Sequence, residues 1–139
     1  MEETLATRRP RWHKALLGLM AAMGSLVVAN QFLLRCEVDG QSMIPVLLPG
    51  DRVLLRRRRP MGTLRVGMIV GFIDPRGDER LLLKRISSLQ GTEVTVVGEN
   101  LAASTDSRTF GPLEQRDIDW VLVRRYSRAP LEKEHDHEA

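Results

Sequence analysis

Ser42 and Lys84 are the residues of this chain whose types could together break a peptide bond. Ser42 lies in VDGQSMIP, residues 38–45, between Gly40 and Pro45, where turn-forming neighbours let a hydroxyl project from a loop. A serine hydroxyl is a weak nucleophile at neutral pH and must lose its proton to an adjacent base. Beyond the N-terminal segment no histidine occurs before His135, so a Ser-His-Asp triad has no base to use. A neutral lysine can serve instead, provided that burial brings its pKa well down from ~10.4. Lys84 follows Leu81, Leu82 and Leu83 in a strand-like run, where apolar neighbours can desolvate it. Taken alone, Lys84-Arg85 reads as a solvated pair on a strand. A third polar cluster, Ser104-Thr105-Asp106-Ser107-Arg108, taken alone reads as an Asx-type loop in which Asp106 and Arg108 cap a turn.

The elements that must position these residues fall into two unlike parts. Residues 15–34 carry no charge, and a helix of that length, at ~1.5 Å per residue, reaches about the ~30 Å of a bilayer core. Arg8, Arg9, Arg11 and Lys14 precede the run and Arg35 follows it, which keeps the N-terminus in the cytoplasm and sends the rest outside. A cleaved signal peptide and a helix buried in a soluble protein compete with this reading. A secretory apolar region is usually ~7–15 residues, however, and no small-x-small pattern closes the run. The expectation is a cytoplasmic basic segment 1–14, a transmembrane anchor 15–34 and an extracytoplasmic domain 36–130. Within that domain short β-rich runs, Arg52–Leu55, Met68–Phe72, Leu81–Ile86, Glu93–Val97 and Trp120–Arg125, alternate with turn signals such as Pro49-Gly50-Asp51. The fold class is therefore mainly β behind an N-terminal transmembrane helix. Residues 131–139 read as a disordered acidic tail containing His135 and His137.

Composition sets further bounds. A chain of 139 residues, 42% hydrophobic, has room for one core and an appendage but not for a second large domain. With 21 basic against 18 acidic residues and 4% aromatics, a nucleic-acid partner is not expected. Cys36 stands alone and cannot form an internal disulfide; it is expected to pack at the membrane boundary rather than react. Two histidines in a tail fall short of a structural metal site, and no metal or other cofactor is expected. Arg56 to Arg59 read as a solvated strand edge that blocks sheet association, with contact to anionic headgroups as the other reading.

Four blocks, VDGQSMIP, LLPGDRVLL at 47–55, LLLKR at 81–85 and GENLAASTDSRTFGPL at 98–113, resemble the signal peptidase I family in type, order and spacing. The likeness runs from about Val38 to Tyr126. It implies a compact antiparallel β catalytic domain, with Ser42 as nucleophile and Lys84 as its general base. It also implies that the Ser42 backbone N–H helps bind the oxyanion, that Ser104 orients the lysine amine, and that Asp106 and Arg108 pair to shape the site. At Gly40 some members carry a serine hydroxyl as a second oxyanion donor; here only backbone is left. The implied partners are precursor proteins with signal or leader peptides, cut after small residues, and the lipid bilayer, with no obligatory protein partner. Gly98-Glu99-Asn100 departs from the usual Gly-Asp-Asn, Met68 stands where aspartate is common, and Gln90-Gly91-Thr92 replaces Pro-Gly-Asp. These departures remove no catalytic group but bear on loop geometry and branch. The small size also resembles the maturation protease of nickel-type superoxide dismutase and the mitochondrial inner membrane proteases. Autocleaving repressors share the dyad but need a DNA-binding helix-turn-helix, which residues 1–35 do not supply. An inactive membrane-anchored homologue that binds secreted segments would have to lack a catalytic group, and Ser42, Lys84 and Ser104 are all present.

Overall fold

Alternating apolar residues in the expected runs pair into one seven-stranded sheet in the computed structural model, which describes residues 12–59 and 62–128, and at 29 and 30 the backbone alone. The strands are β1 (Leu33–Glu37), β2 (Arg52–Arg57), β3 (Ile69–Ile73), β4 (Leu81–Gln90), β5 (Glu93–Val97), β6 (Leu113–Glu114) and β7 (Trp120–Ser127). Their order across the sheet is β1-β2-β7-β3-β4-β5-β6, and every adjacent pair is antiparallel. Arg8, Arg9 and Arg11 of the basic segment and the tail with His135 and His137 lie outside the described residues.

A helix, α1 (Trp12–Gln31), precedes the sheet and belongs to a separate unit that ends at Phe32. Among the described residues no helix is long and apolar enough to cross a membrane. The helical run also stops short of the expected 15–34: Leu33 and Leu34 leave it to open β1, which pairs with β2 from Leu33↔Arg56 to Glu37↔Arg52. Hydropathy could not reveal that boundary, because the apolar run continues through it. β6 was missed for another reason, since two residues are too few to show a strand's period.

β2 lies between β1 and β7, so Arg56 and Arg57 are not on an edge strand. Reading them as the solvated edge that blocks sheet association is corrected: the edge on that side is β1.

Two apolar clusters flank the sheet and meet at β3. Val70 and Phe72 join Leu64, Ile86, Val94, Val96, Leu113 and Ile118. Ile69 joins Val38, Met43, Leu47, Val53 and Leu55. β3 is thus buried on both faces from Ile69 to Phe72, as its unbroken apolar run implies. Each fully buried side chain contributes roughly 1.5–3 kcal/mol, which makes β3 and its neighbour β4 a firm base for the side chains they carry.

Candidate active site

Ser42 sits in the 38–51 loop between β1 and β2, and that loop is fastened at both ends. The Val38 N–H donates to Asp51 O (2.8 Å) and the Gly50 N–H donates to Val38 O (2.6 Å). Met43, next to Ser42, and Leu47 are 1% and 2% exposed, so the loop is plugged into the second cluster. Buried Asp51 accepts from the Leu48 N–H (2.9 Å) and from Arg125 Nη1 (3.1 Å), which also donates to Val46 O (3.1 Å). Arg125 comes from β7 and clamps the loop to the sheet. Sequence reasoning assigned no role to either Asp51 or Arg125; the Gly50-Asp51 block was visible, but its partner lies far along the chain.

Lys84 is held by β4. Its register partner is Val70, so its side chain shares a face with Leu82 and Ile86, the alternate residues of its own strand. It is 3% exposed. Nζ lies 2.6 Å from Ser42 Oγ, within hydrogen-bond distance. Burial pushes the amine below the usual lysine range, and the charges of Asp106 and Asp74 oppose this only in part.

The 98–108 segment closes the site from the other side. Buried Asp106 accepts from the Gly98 N–H (2.9 Å), Ser104 Oγ (2.7 Å) and the Arg108 N–H (3.2 Å). The Arg108 guanidinium grips the same carboxylate through Nε (2.9 Å) and Nη2 (3.0 Å). Burial alone would raise the Asp106 pKa, but these donors outweigh it and hold the carboxyl well below its usual range. Asp106 also caps the short helix α2 (Ser107–Phe110). The Ser104 hydroxyl is thus hydrogen-bonded to the carboxylate, while its side chain packs against Gly98. The Asn100 N–H donates to Ser42 O (2.9 Å), which ties the segment to the 38–51 loop. Glu99, in place of the usual aspartate, pairs with Arg85, whose Nη1 donates to Gly67 O (2.6 Å). The Ser42 N–H makes no hydrogen bond among the described residues.

A cavity of about 260 Å³ opens beside Ser42, with Cys36–Gly40 along one wall and Arg80–Lys84 along the other. Gly40 is exposed there, and a side chain at this position would meet nothing within 4 Å. Cys36 is half-buried, and burial raises its thiol pKa, which disfavours the reactive thiolate. Ser42, Lys84 and Gly40, read from distant parts of the sequence, therefore line one cavity, while the Ser104–Asp106–Arg108 cluster does not line it and joins the Ser42 loop through Gly98 and Asn100. A hydroxyl in contact with a buried amine, both lining an open cavity, is suited to acyl transfer.

Two comparisons bear on this geometry. The family model for signal peptidase, peptidase S26, matches residues 9–102, which include Ser42 and Lys84. The mitochondrial ATP-independent inner membrane protease subunit 1a of Arabidopsis thaliana is 34% identical over 113 residues, covering 64% of this chain and 67% of that protein. With these blocks carried by one antiparallel sheet and its connecting loops, and the family model spanning most of the chain, this protein belongs to the signal peptidase family of S26 peptidases.

Proposed function

We propose that this chain is a membrane-anchored serine endopeptidase that removes N-terminal signal or leader peptides, with Ser42 as nucleophile and Lys84 as general base. The observation that carries the reading is the 2.6 Å approach of Nζ to Oγ with the lysine 3% exposed. A neutral Lys84 takes the Ser42 proton as Oγ attacks the carbonyl carbon of the scissile bond. The oxyanion is received by the Ser42 backbone N–H, a type of donor worth ~2.7–4 kcal/mol elsewhere. Lys84, now protonated, gives its proton to the departing amine, and an acyl-enzyme remains on Oγ. Lys84 Nζ then takes a proton from water as the water attacks the acyl carbon, and returns it to Ser42 Oγ as the ester bond breaks, which frees the new carboxylate and restores Ser42.

Substrates are extended segments with small side chains at the first and third positions before the cut, read by the cleft between 36–40 and 80–84. Even one methylene of misfit is worth ~1–3 kcal/mol in such a pocket. The membrane anchor is supported by the charge-free run 15–34 and by the exposure of Leu17, Met20 and Leu26 on α1, although α1 by itself falls short of the apolarity of a span. The relative's printed name, an inner membrane protease, supports the same placement and favours the compact mitochondrial branch. On this reading the N-terminus is cytoplasmic, or on the matrix side, and the sheet lies across the membrane. The test is cleavage of a secretory precursor by purified protein, beside a nickel superoxide dismutase precursor. Ser42→Ala and Lys84→Arg should both be inactive although folded, because an arginine cannot act as a neutral base. Wild-type cleavage by either variant would sink the dyad assignment.

A further inference from the structure

We propose that the outer face of β1, β2 and β7 docks on anionic phospholipid headgroups. The choice of partner rests on the anchor proposed above; the contact itself is a second one, made by the β domain. Leu54 on β2 stands opposite Arg35 on β1 and opposite Arg124 on β7. The two arginines therefore flank one leucine in a single row, roughly 10 Å apart across two strand spacings. Arg56 lies two residues along β2 and so shares that face. The other face, with Val53, Leu55 and Leu122, packs into the second cluster, and Arg35, Arg56 and Arg124 are exposed.

None of these three arginines has a carboxylate partner among the described residues, whereas Arg52 beside them is paired with Glu37 at 3.5 Å. Around the catalytic cleft the pattern is opposite: Arg76, Arg85, Arg108 and Arg125 each hold a carboxylate. Three like charges on one exposed sheet face leave their countercharge to come from outside the chain. Leu33, opposite Arg56, is 40% exposed on the same face, and Tyr126, at the register shift that follows Arg125 on β7, is 44% exposed. Arginine with leucine and tyrosine is the composition of a membrane interface rather than of a nucleic-acid groove. Chain length argues the same way. α1 ends at Gln31 and Arg35 follows four residues on, so the first arginine is no more than ~14 Å of chain from the helix end. A helix ending at a bilayer surface leaves this row within reach of the headgroups.

At roughly fivefold per arginine near an anionic surface, three favour the docked state on the order of 100-fold. The test uses the full chain in nanodiscs of phosphatidylcholine, and in discs rich in phosphatidylglycerol, read by hydrogen exchange. β1 is the sheet edge, so its unpaired N–H groups report what covers them. Expected is a slowing of at least fivefold at 33–37 in the anionic discs, reversed at high salt and lost in Arg35→Gln/Arg56→Gln/Arg124→Gln. Unchanged exchange of β4 and β5 shows that the variant is folded, and Arg65→Gln/Arg116→Gln should behave as wild type. Equal exchange in both discs, or slowing that survives the triple variant, overturns the proposal. Slowing produced in phosphatidylcholine discs by inorganic phosphate or an oligonucleotide also overturns it, since the face would then bind a soluble anion. A chain washed out of phosphatidylcholine discs yet held by anionic ones would refute the anchor and support the arginine face.

Discussion

Replacing Gly98 by alanine should cripple catalysis without altering either reacting group. The cause is space rather than backbone conformation. A Cβ at 98 would lie 2.6 Å from Ser104 Cβ and 2.7 Å from Ser42 O, where ordinary contact begins at 3.4 Å. The overlap of about 0.7 Å with Ser42 O is against a backbone atom, so no rotamer change relieves it. Nor can residue 98 retreat, because its N–H is held by Asp106 and the Asn100 N–H holds Ser42 O from the same side. If the nucleophile loop yields, Ser42 Oγ moves from 2.6 Å to about 3.3 Å from Lys84 Nζ, at the weak end of hydrogen bonding. A displacement of this order costs up to ~10²-fold in rate. Overpacking costs ~1–3 kcal/mol, or about 4–12 °C in Tm for a domain near 100 residues. The assay is kcat/KM on a precursor peptide cut after alanine, beside thermal unfolding followed by circular dichroism. Adding Ser104→Gly should return part of the stability and little of the rate, since the clash with Ser42 O persists. A Gly98→Ala protein with wild-type kcat/KM and Tm would refute the reasoning.

Asp106→Asn should unfold about 10 °C earlier at pH 7, since losing one partner of a buried pair costs on the order of 3 kcal/mol. Because the Asp106 pKa is lowered on folding, its contribution is present above the unfolded value of ~3.9 and fades as pH falls, so the gap to wild type should close in acid. Lys84→Met should lose on the order of 10⁴-fold in rate yet be more stable at pH 7. The buried amine binds its proton less tightly when folded, so it costs stability below the unfolded pKa of ~10.4, and the advantage of methionine should vanish above that pH in denaturant titrations. Arg108→Gln uncovers the Asp106 charge, which already favours the ammonium form of Lys84; the acid limb of the pH–rate profile should move to higher pH, and an unmoved limb would refute the coupling.

Local signals in the sequence sufficed for the strand that carries Lys84 and for its neighbour. The β3 and β4 runs are apolar and separated by Asp74-Pro75-Arg76-Gly77-Asp78, so the existence of both strands could be read directly, and the structure adds their antiparallel pairing. The desolvation of Lys84 was also legible, because three leucines precede it. What could not be read depends on contacts between distant segments. The Arg125–Asp51 clamp joins residues far apart in sequence, and no local pattern marks β7 as the neighbour of β2. The placement of Gly98 against Ser42 O is likewise a tertiary fact. Ser104, expected to orient the amine, donates its hydroxyl proton to Asp106, which leaves the oxygen's lone pairs as acceptors.

The charges around Lys84 obey one requirement. On the proposed mechanism a base in contact with Ser42 must stay neutral, yet Asp106 and Asp74, at 0% and 2% exposure, both favour the ammonium form. Each carries an arginine two residues downstream, in Asp74-Pro75-Arg76 and Asp106-Ser107-Arg108. In both cases the carboxylate accepts the backbone N–H of that arginine and its guanidinium fork. A paired carboxylate presents a dipole rather than a full charge, and its influence on a third group falls off faster with distance. The arginines reach in from partly exposed positions, at 40% and 48% side-chain exposure, so only the carboxylates bear a full desolvation cost, and their oxygens are met by donors. Both carboxylates are also structural. Asp106 pins the 98–108 segment against the nucleophile loop, and the Asp74 N–H donates to Arg80 O to close the turn that leads into β4. The repeated Asp-x-Arg unit lets buried acids shape both flanks of the site without protonating its base. A surface lysine would need no such arrangement, and its presence twice around Lys84 argues that the amine is kept as a base.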